Sequence, residues 1–166
     1  MKDNFERFSL YRISIAYPND SRVEFNSKGR RETGDVAFHL PEKIRIFLSW
    51  GELEKVEKRF SSVQEHADYS INAMKKGKHV ANFEQTSKDS VTVNTHKAAL
   101  NKVKFDEMVS TLLFAGKKPL QREATSLHVH CSDSNRYFVL YTMTPGDIEG
   151  KYGKTMTKMI DSFRCH

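Results

Sequence analysis

Apolar residues change their spacing abruptly near Glu52. Upstream they recur at every second position, the period of a half-buried strand. From there Leu53, Val56, Phe60, Val63, Ala67, Ile71 and Met74 follow at intervals of three and four. That spacing lines one face of an α-helix, with Glu54, Lys55, Lys58 and Arg59 on the other. It predicts a single long helix over residues 52–76, ended by Gly77 in a left-handed conformation.

The segments on either side carry strand signals. Residues 11–15 (Tyr-Arg-Ile-Ser-Ile) alternate until Pro18-Asn19-Asp20 breaks them, and 22–25 alternate again before a turn at Asn26-Ser27-Lys28-Gly29. Residues 33–40 and 43–49 read as a hairpin around Pro41-Glu42. Beyond the long helix, strands are expected at 81–86 and 90–96, with 97–105 extended. Residues 106–114 lean towards a short helix, and Gly116-Lys117-Lys118-Pro119 reads as a loop. A clearer hairpin follows. Leu127, Val129 and Cys131 share one side, His128 and His130 the other, and Ser132-Asp133-Ser134-Asn135 turns the chain into a strand over 136–142. Thr144-Pro145-Gly146-Asp147 has the form of a helix start, and Ile148, Tyr152, Met156, Met159 and Phe163 give the next helix its stripe.

Strands joined by short turns pair antiparallel, and two amphipathic helices need a sheet to cover. One α+β domain over residues 1–166 is the expectation, since 166 residues fit a single core. With 38% hydrophobic and 29% charged residues the chain is well solvated, yet eleven Phe and six Tyr supply core material. The start of the sequence lacks the apolar run of a signal peptide, and no apolar stretch is long enough to span a bilayer. A cytoplasmic location is therefore expected.

Chemistry is sparse. There is no nucleophile elbow, phosphate-binding loop, dinucleotide fingerprint or His-Glu-x-x-His motif, and no cofactor is implied. Cys131 and Cys165, with His166 beside the second, stand at the ends of two late elements and could meet in space. Free buried thiols, a disulfide and a metal site are the three open states. His128 and His130 point the same way on a strand, as in several metal sites. Cys131 has the opposite parity, so a metal there needs a further ligand such as His166 or His96. The ordinary role for such a pair is a polar spot on a sheet face. Trp50, preceding Gly51, could line a pocket, although aromatic residues so placed are more often core; Arg136 is a second contact candidate. A net charge of +6 brings phosphate binding into view, with Lys28, Arg30 and Arg31 in one turn and Lys151, Lys154 and Lys158 along one helix face. Interleaved aromatics and the segments of known RNA-binding modules are missing, and a solvated surface is the usual use of such charges.

Three groups of residues also carry a resemblance. Residues 11–18 ending Tyr17-Pro18 and residues 36–50 ending Leu48-Ser49-Trp50, followed by the long helix, are one. Cys131-Ser132-Asp133-Ser134-Asn135-Arg136-Tyr137-Phe138 and Ile160-Asp161-Ser162-Phe163 are the second, and Val93-Asn94-Thr95-His96-Lys97-Ala98 the third. Together they resemble the superfamily of PsbP, the extrinsic photosystem II protein, and the Mog-type Ran guanine-nucleotide release factors. Thr95 stands where that group usually has Gly. The resemblance implies a three-layer α/β/α sandwich around a mostly antiparallel sheet, and it most resembles the group's uncharacterised prokaryotic members. It carries over neither a photosystem role nor a Ran-binding surface. The preferred expectation is a non-enzymatic domain binding an unknown protein or small ligand on its sheet face or loop edges. The alternatives are a metal-dependent activity at His128 and His130, and nucleic-acid binding through the basic residues.

Overall fold

The computed structural model describes residues 4–110, 116–146 and 149–166. Nine strands and three helices follow in the order β1 (Phe5–Leu10), β2 (Ile13–Pro18), β3 (Arg22–Phe25), β4 (Gly34–His39), β5 (Arg45–Glu52), α1 (Leu53–Glu57), α2 (Val63–Lys75), β6 (Val80–Val93), β7 (His96–Ser110), β8 (Lys117–Cys131), β9 (Arg136–Pro145) and α3 (Glu149–Ser162). Seven strands form one antiparallel sheet in the order β3-β4-β5-β9-β8-β7-β6, and β1-β2 is a separate hairpin. No helix among the described residues is long and apolar enough to cross a membrane.

The pleat sends alternate side chains to opposite faces, and each face has its own cover. Val36, Phe38, Ile46, Leu48, Trp50, Leu127, Val129, Phe138 and Leu140 build the larger core with Ile13 and Ile15 of β2, Met156 and Met159 of α3, and Phe163 just after it. On the other face Val103, Phe105 and Ala124 pack against Ile71 of α2. The sheet thus lies between α1–α2 on one side and α3 with the β1-β2 hairpin on the other, the expected α/β/α layering. After α3 the chain is held to the hairpin by paired backbone hydrogen bonds between Ser14 and Arg164, 3.0 and 2.8 Å long.

Several local expectations change. Residues 52–76 are two helices rather than one. Ser62 caps α2, its hydroxyl accepting from the Glu65 amide at 3.1 Å, while the Glu65 carboxylate accepts from the amide and hydroxyl of Ser61, both at 2.7 Å. This reciprocal cap starts a new helix inside an unbroken apolar stripe. Both pieces lie on the same sheet face, so the layers survive the break. Gly77 follows α2 as expected, but no described glycine has a positive φ.

The strands are longer than alternation reveals. β6 is continuous where two strands were expected, its register shifting between Ala81 and Glu84 and between Gln85 and Ser87. Residues 106–110 extend β7 instead of forming a helix, and 111–115 lie outside the described residues. The loop expected at 117–119 is already β8. Pro119 is tolerated there because β9 pairs with β8 only from Arg122 onward, leaving an open edge. β9 likewise runs through Thr144 and Pro145, the expected cap and first turn of a helix, while Asp147 and Ile148 lie outside the described residues. β1 was not foreseen. Its partner begins only at Ile13, because Tyr11 and Arg12 form the turn with φ of 51° and 65°.

Ser62→Ala removes the acceptor that starts α2. We expect a loss of about 1 kcal/mol in denaturant unfolding, with the sheet signal in circular dichroism retained. A loss near zero would mean that α2 is set by packing alone.

Candidate functional site

Strand β8 carries the chemistry. Because neighbouring residues on a strand face opposite ways, Cys131 enters the α3 core while His128 and His130 face α2. Two clusters result, one on each side of the sheet.

The first gathers residues from distant parts of the sequence. Cys131 closes β8, and Cys165 and His166 follow α3. His96 opens β7 directly after the turn at Asn94-Thr95, where Asn94 takes the φ of 57° the reversal needs. The two Sγ atoms are 2.7 Å apart. Cys131 Sγ lies 3.4 Å from His96 Nε2 and 3.6 Å from His166 Nδ1, and Cys165 Sγ lies 3.3 Å from the same Nδ1. All the donor atoms of His96, Cys131, Cys165 and His166 fall within 4.8 Å of one another. The cysteines are fully buried and His96 is 8% exposed, whereas His166 reaches solvent. Asn94 Nδ2 donates to Cys165 Sγ at 3.4 Å, and Asp133 Oδ2 stands 3.4 Å from His166 Nε2 and 3.5 Å from His96 Nε2. The Cys165 thiol donates to Cys131, which holds Cys131 down to about 5. The same bond, together with burial, pushes Cys165 up.

Opposite it, His66 of α2 meets both β8 histidines. His66 Nδ1 and His130 Nε2 share a hydrogen bond of 3.2 Å, and His128 Nε2 lies 3.2 Å from the Ser70 hydroxyl. The His66 ring contacts those of Phe60, His128, His130 and Tyr137. Burial first, then neighbouring positive charge, pushes His66 down to about 4 and His128 to about 3; burial also lowers His130, against the pull of Glu57. These imidazoles are neutral at pH 7 and serve as hydrogen-bonding core polar groups. A metal set of His128, His130 and His166 is not assembled: His166, like His96, joins the cysteines on the far face. Only the parity of β8 was readable beforehand. His66 hid in a helical stripe as a polar residue, and nothing local marked Asp133.

The remaining candidates are structural or scattered. Trp50 is core, its Nε1 donating to the Arg30 carbonyl at 2.9 Å and its ring stacked with Phe25. Arg136 is 3% exposed and donates to the carbonyls of Arg31 at 3.2 Å and Tyr11 at 2.9 Å, tying the hairpin turn to β9. Lys28, Arg30 and Arg31 are exposed on the β3-β4 connection. On α3, Lys154 is exposed and Lys158 Nζ sits 3.8 Å from the centre of the Phe5 ring; the side chain of Lys151 is outside those described.

The neutral histidine cluster makes stability depend on pH in one direction. An unfolded histidine binds a proton near pH 6.5, which the folded cluster resists down to about 4 at His66. Between those values the unfolded chain holds more protons, so stability is full above pH 6.5 and falls with acidification. Around His66 lie Arg59, Glu57, His128 and His130, and none reverses that sign. We expect His66→Gln to flatten the decline in melting temperature from pH 7 to pH 5, recovering about 1–2 kcal/mol at the lower pH. Parallel curves for the two proteins would contradict the assignment.

No family model matches the chain, and no curated protein matches it in sequence. Solved structures do. The Ran-binding protein Mog1p of Saccharomyces cerevisiae is 12% identical, over 98% of this chain and 96% of that one, with a TM-score of 0.61. A cyanobacterial PsbP from Synechocystis is 12% identical over 100% and 95%, with a TM-score of 0.55. A Pseudomonas aeruginosa protein of unknown function, described as a putative regulator, is 8% identical over 98% and 97%, with a TM-score of 0.54. Likeness at such identity is likeness of fold. The chain has the PsbP/Mog-like fold.

Proposed function

We propose that this chain is a binding domain that recognises a protein partner on the part of its sheet the helices leave uncovered, rather than an enzyme. The observation that carries this is the face formed by β3, β4 and β5. Among the described residues α2 packs on β6, β7 and β8 and α1 on β9. Beyond them Phe47 stands 38% exposed, paired across the ladder with Ala37 on one side and Tyr141 on the other. Charged groups surround it: Arg45, Arg22, His39, Glu24 and Asp35 line a shallow depression of ≈ 590 Å³. Glu24 is already engaged, 3.2 Å from Arg22 and 2.9 Å from His39, which leaves Arg45 the prominent cation beside Phe47.

An aromatic anchor rimmed by charge is the common composition of a protein-binding patch. The wet, open shape suits a protein surface better than a small molecule, which takes an enclosed apolar site. Fold neighbours point the same way, one being a Ran-binding protein by name and another a putative regulator. The absence of recognisable catalytic motifs in the sequence is in keeping with it.

The test places a photo-crosslinking residue at position 47 and, separately, at Lys154 on α3, in cells of the source organism. We expect one adduct of discrete mass from position 47, none from 154, and loss of the adduct on adding Arg45→Glu. A variant Phe47→Asp that melts like the parent yet keeps the same partner would contradict the reading, as would demonstrated turnover of a substrate.

A further inference from the structure

On the opposite side of the sheet from the helices α1 and α2, the geometry points to a metal site: we propose that His96, Cys131, Cys165 and His166 bind a single zinc-like divalent ion in a closed tetrahedral set, independently of the partner-binding face. Four donors from three separate stretches of chain converge, and His96 presents Nε2 and His166 Nδ1 towards the sulfurs.

The spacing decides between the states the two cysteines can take. A tetrahedral ion with sulfur at ~2.3 Å and imidazole nitrogen at ~2.05 Å sets sulfur–nitrogen edges of about 3.6 Å. The three measured contacts of this kind are 3.4, 3.6 and 3.3 Å. To admit the ion, the sulfurs move apart from 2.7 Å to about 3.7 Å. A disulfide would satisfy the sulfurs but give no role to His166 Nδ1, which is aimed at both, and would leave His96 Nε2 only the Asp133 carboxylate at 3.5 Å. Free thiols would leave the same nitrogens only weak S–H donors.

The surroundings are those of a ligated site. Asp133 Oδ2, 3.4 Å from His166 Nε2, accepts that N–H and so leaves Nδ1 as the lone-pair donor. Asn94 supplies an N–H to Cys165 Sγ at 3.4 Å, the kind of bond that supports a thiolate. Entry is from the His166 side, since the other donors are buried. Two thiolates and two imidazoles favour zinc over the hard cations that prefer oxygen. Binding is balanced by release of whatever protons the two sulfurs still hold, with no change of oxidation state. Four protein ligands leave no open position, so the ion is structural. It joins the β6-β7 turn, the end of β8 and the segment after α3.

Cobalt(II) titration of the full chain, reduced and stripped with chelator, is the direct test. We expect saturation at one equivalent, the strong visible bands of tetrahedral cobalt, a thiolate charge-transfer band, and displacement of both by zinc. Cys165→Ser should lose about half the charge-transfer intensity, His96→Gln should weaken binding on the order of 100-fold, and Asp133→Asn about tenfold. Should the cysteine variant fail to fold, the parent still decides: zinc must raise its melting temperature. No cobalt uptake by the reduced parent overturns the proposal, as does uptake with only the weak bands of octahedral cobalt. So does a mass two hydrogens low in the protein as isolated from cells, with both thiols unreactive when denatured.

Discussion

Adjacent side chains on a β-strand cannot point the same way, and on β8 that rule organises the molecule. His130 and Cys131 are neighbours in sequence yet belong to different faces of the sheet. Even-numbered positions from Ala124 to His130 meet α2; odd-numbered ones from Leu127 to Cys131 meet α3. A slip of one residue against β7 or β9 would exchange them, placing buried aliphatics under α2 and imidazoles in the larger core. Register is fixed because both faces are covered. Pairs such as Leu127 with Leu140 and Val129 with Phe138 would lose their cores together.

From this follows a division of labour among the residues that could carry chemistry. The histidines under α2 are held neutral by burial, His66 bonding His130 and His128 bonding Ser70 through Nε2. The cysteines under α3 are brought to His96 and His166 by two ordinary devices, a tight turn at Asn94 and the Ser14–Arg164 pairing that anchors the chain after α3. The proposed four-ligand centre would strengthen the junction of sheet, turn and helix without offering a position for substrate. That would suit a domain whose proposed working surface is elsewhere, on the β3-β4-β5 face around Phe47.

Much of this was legible in the sequence where one physical signal dominates. The β8-β9 hairpin, the β4-β5 hairpin and the α3 stripe followed from period and turn residues. The reading erred where two signals compete. An apolar stripe persists across Ser61 and Ser62, so the helix break is visible only in the Ser-x-x-Glu cap. The half-exposed ends of β7 and β8 carry too few apolar residues to declare their period, and Pro119 and Pro145 look like breakers until an open edge excuses them. Fold resemblance to the PsbP/Mog group was readable from short motifs. The meeting of Cys131 with Cys165 and His166 was foreseen as possible, whereas His96 as their partner and Asp133 as support depend on strand pairing across the sheet.

The partition of β8 is tested most directly by nitrogen-15 NMR of the histidine side chains during zinc addition to the reduced protein. The account predicts that His96 and His166 shift together, one through Nε2 and the other through Nδ1, and saturate at one equivalent, while His66, His128 and His130 keep their neutral-ring signals. Movement of His128 and His130, with His96 and His166 unchanged, would place the metal on the wrong face and contradict the account.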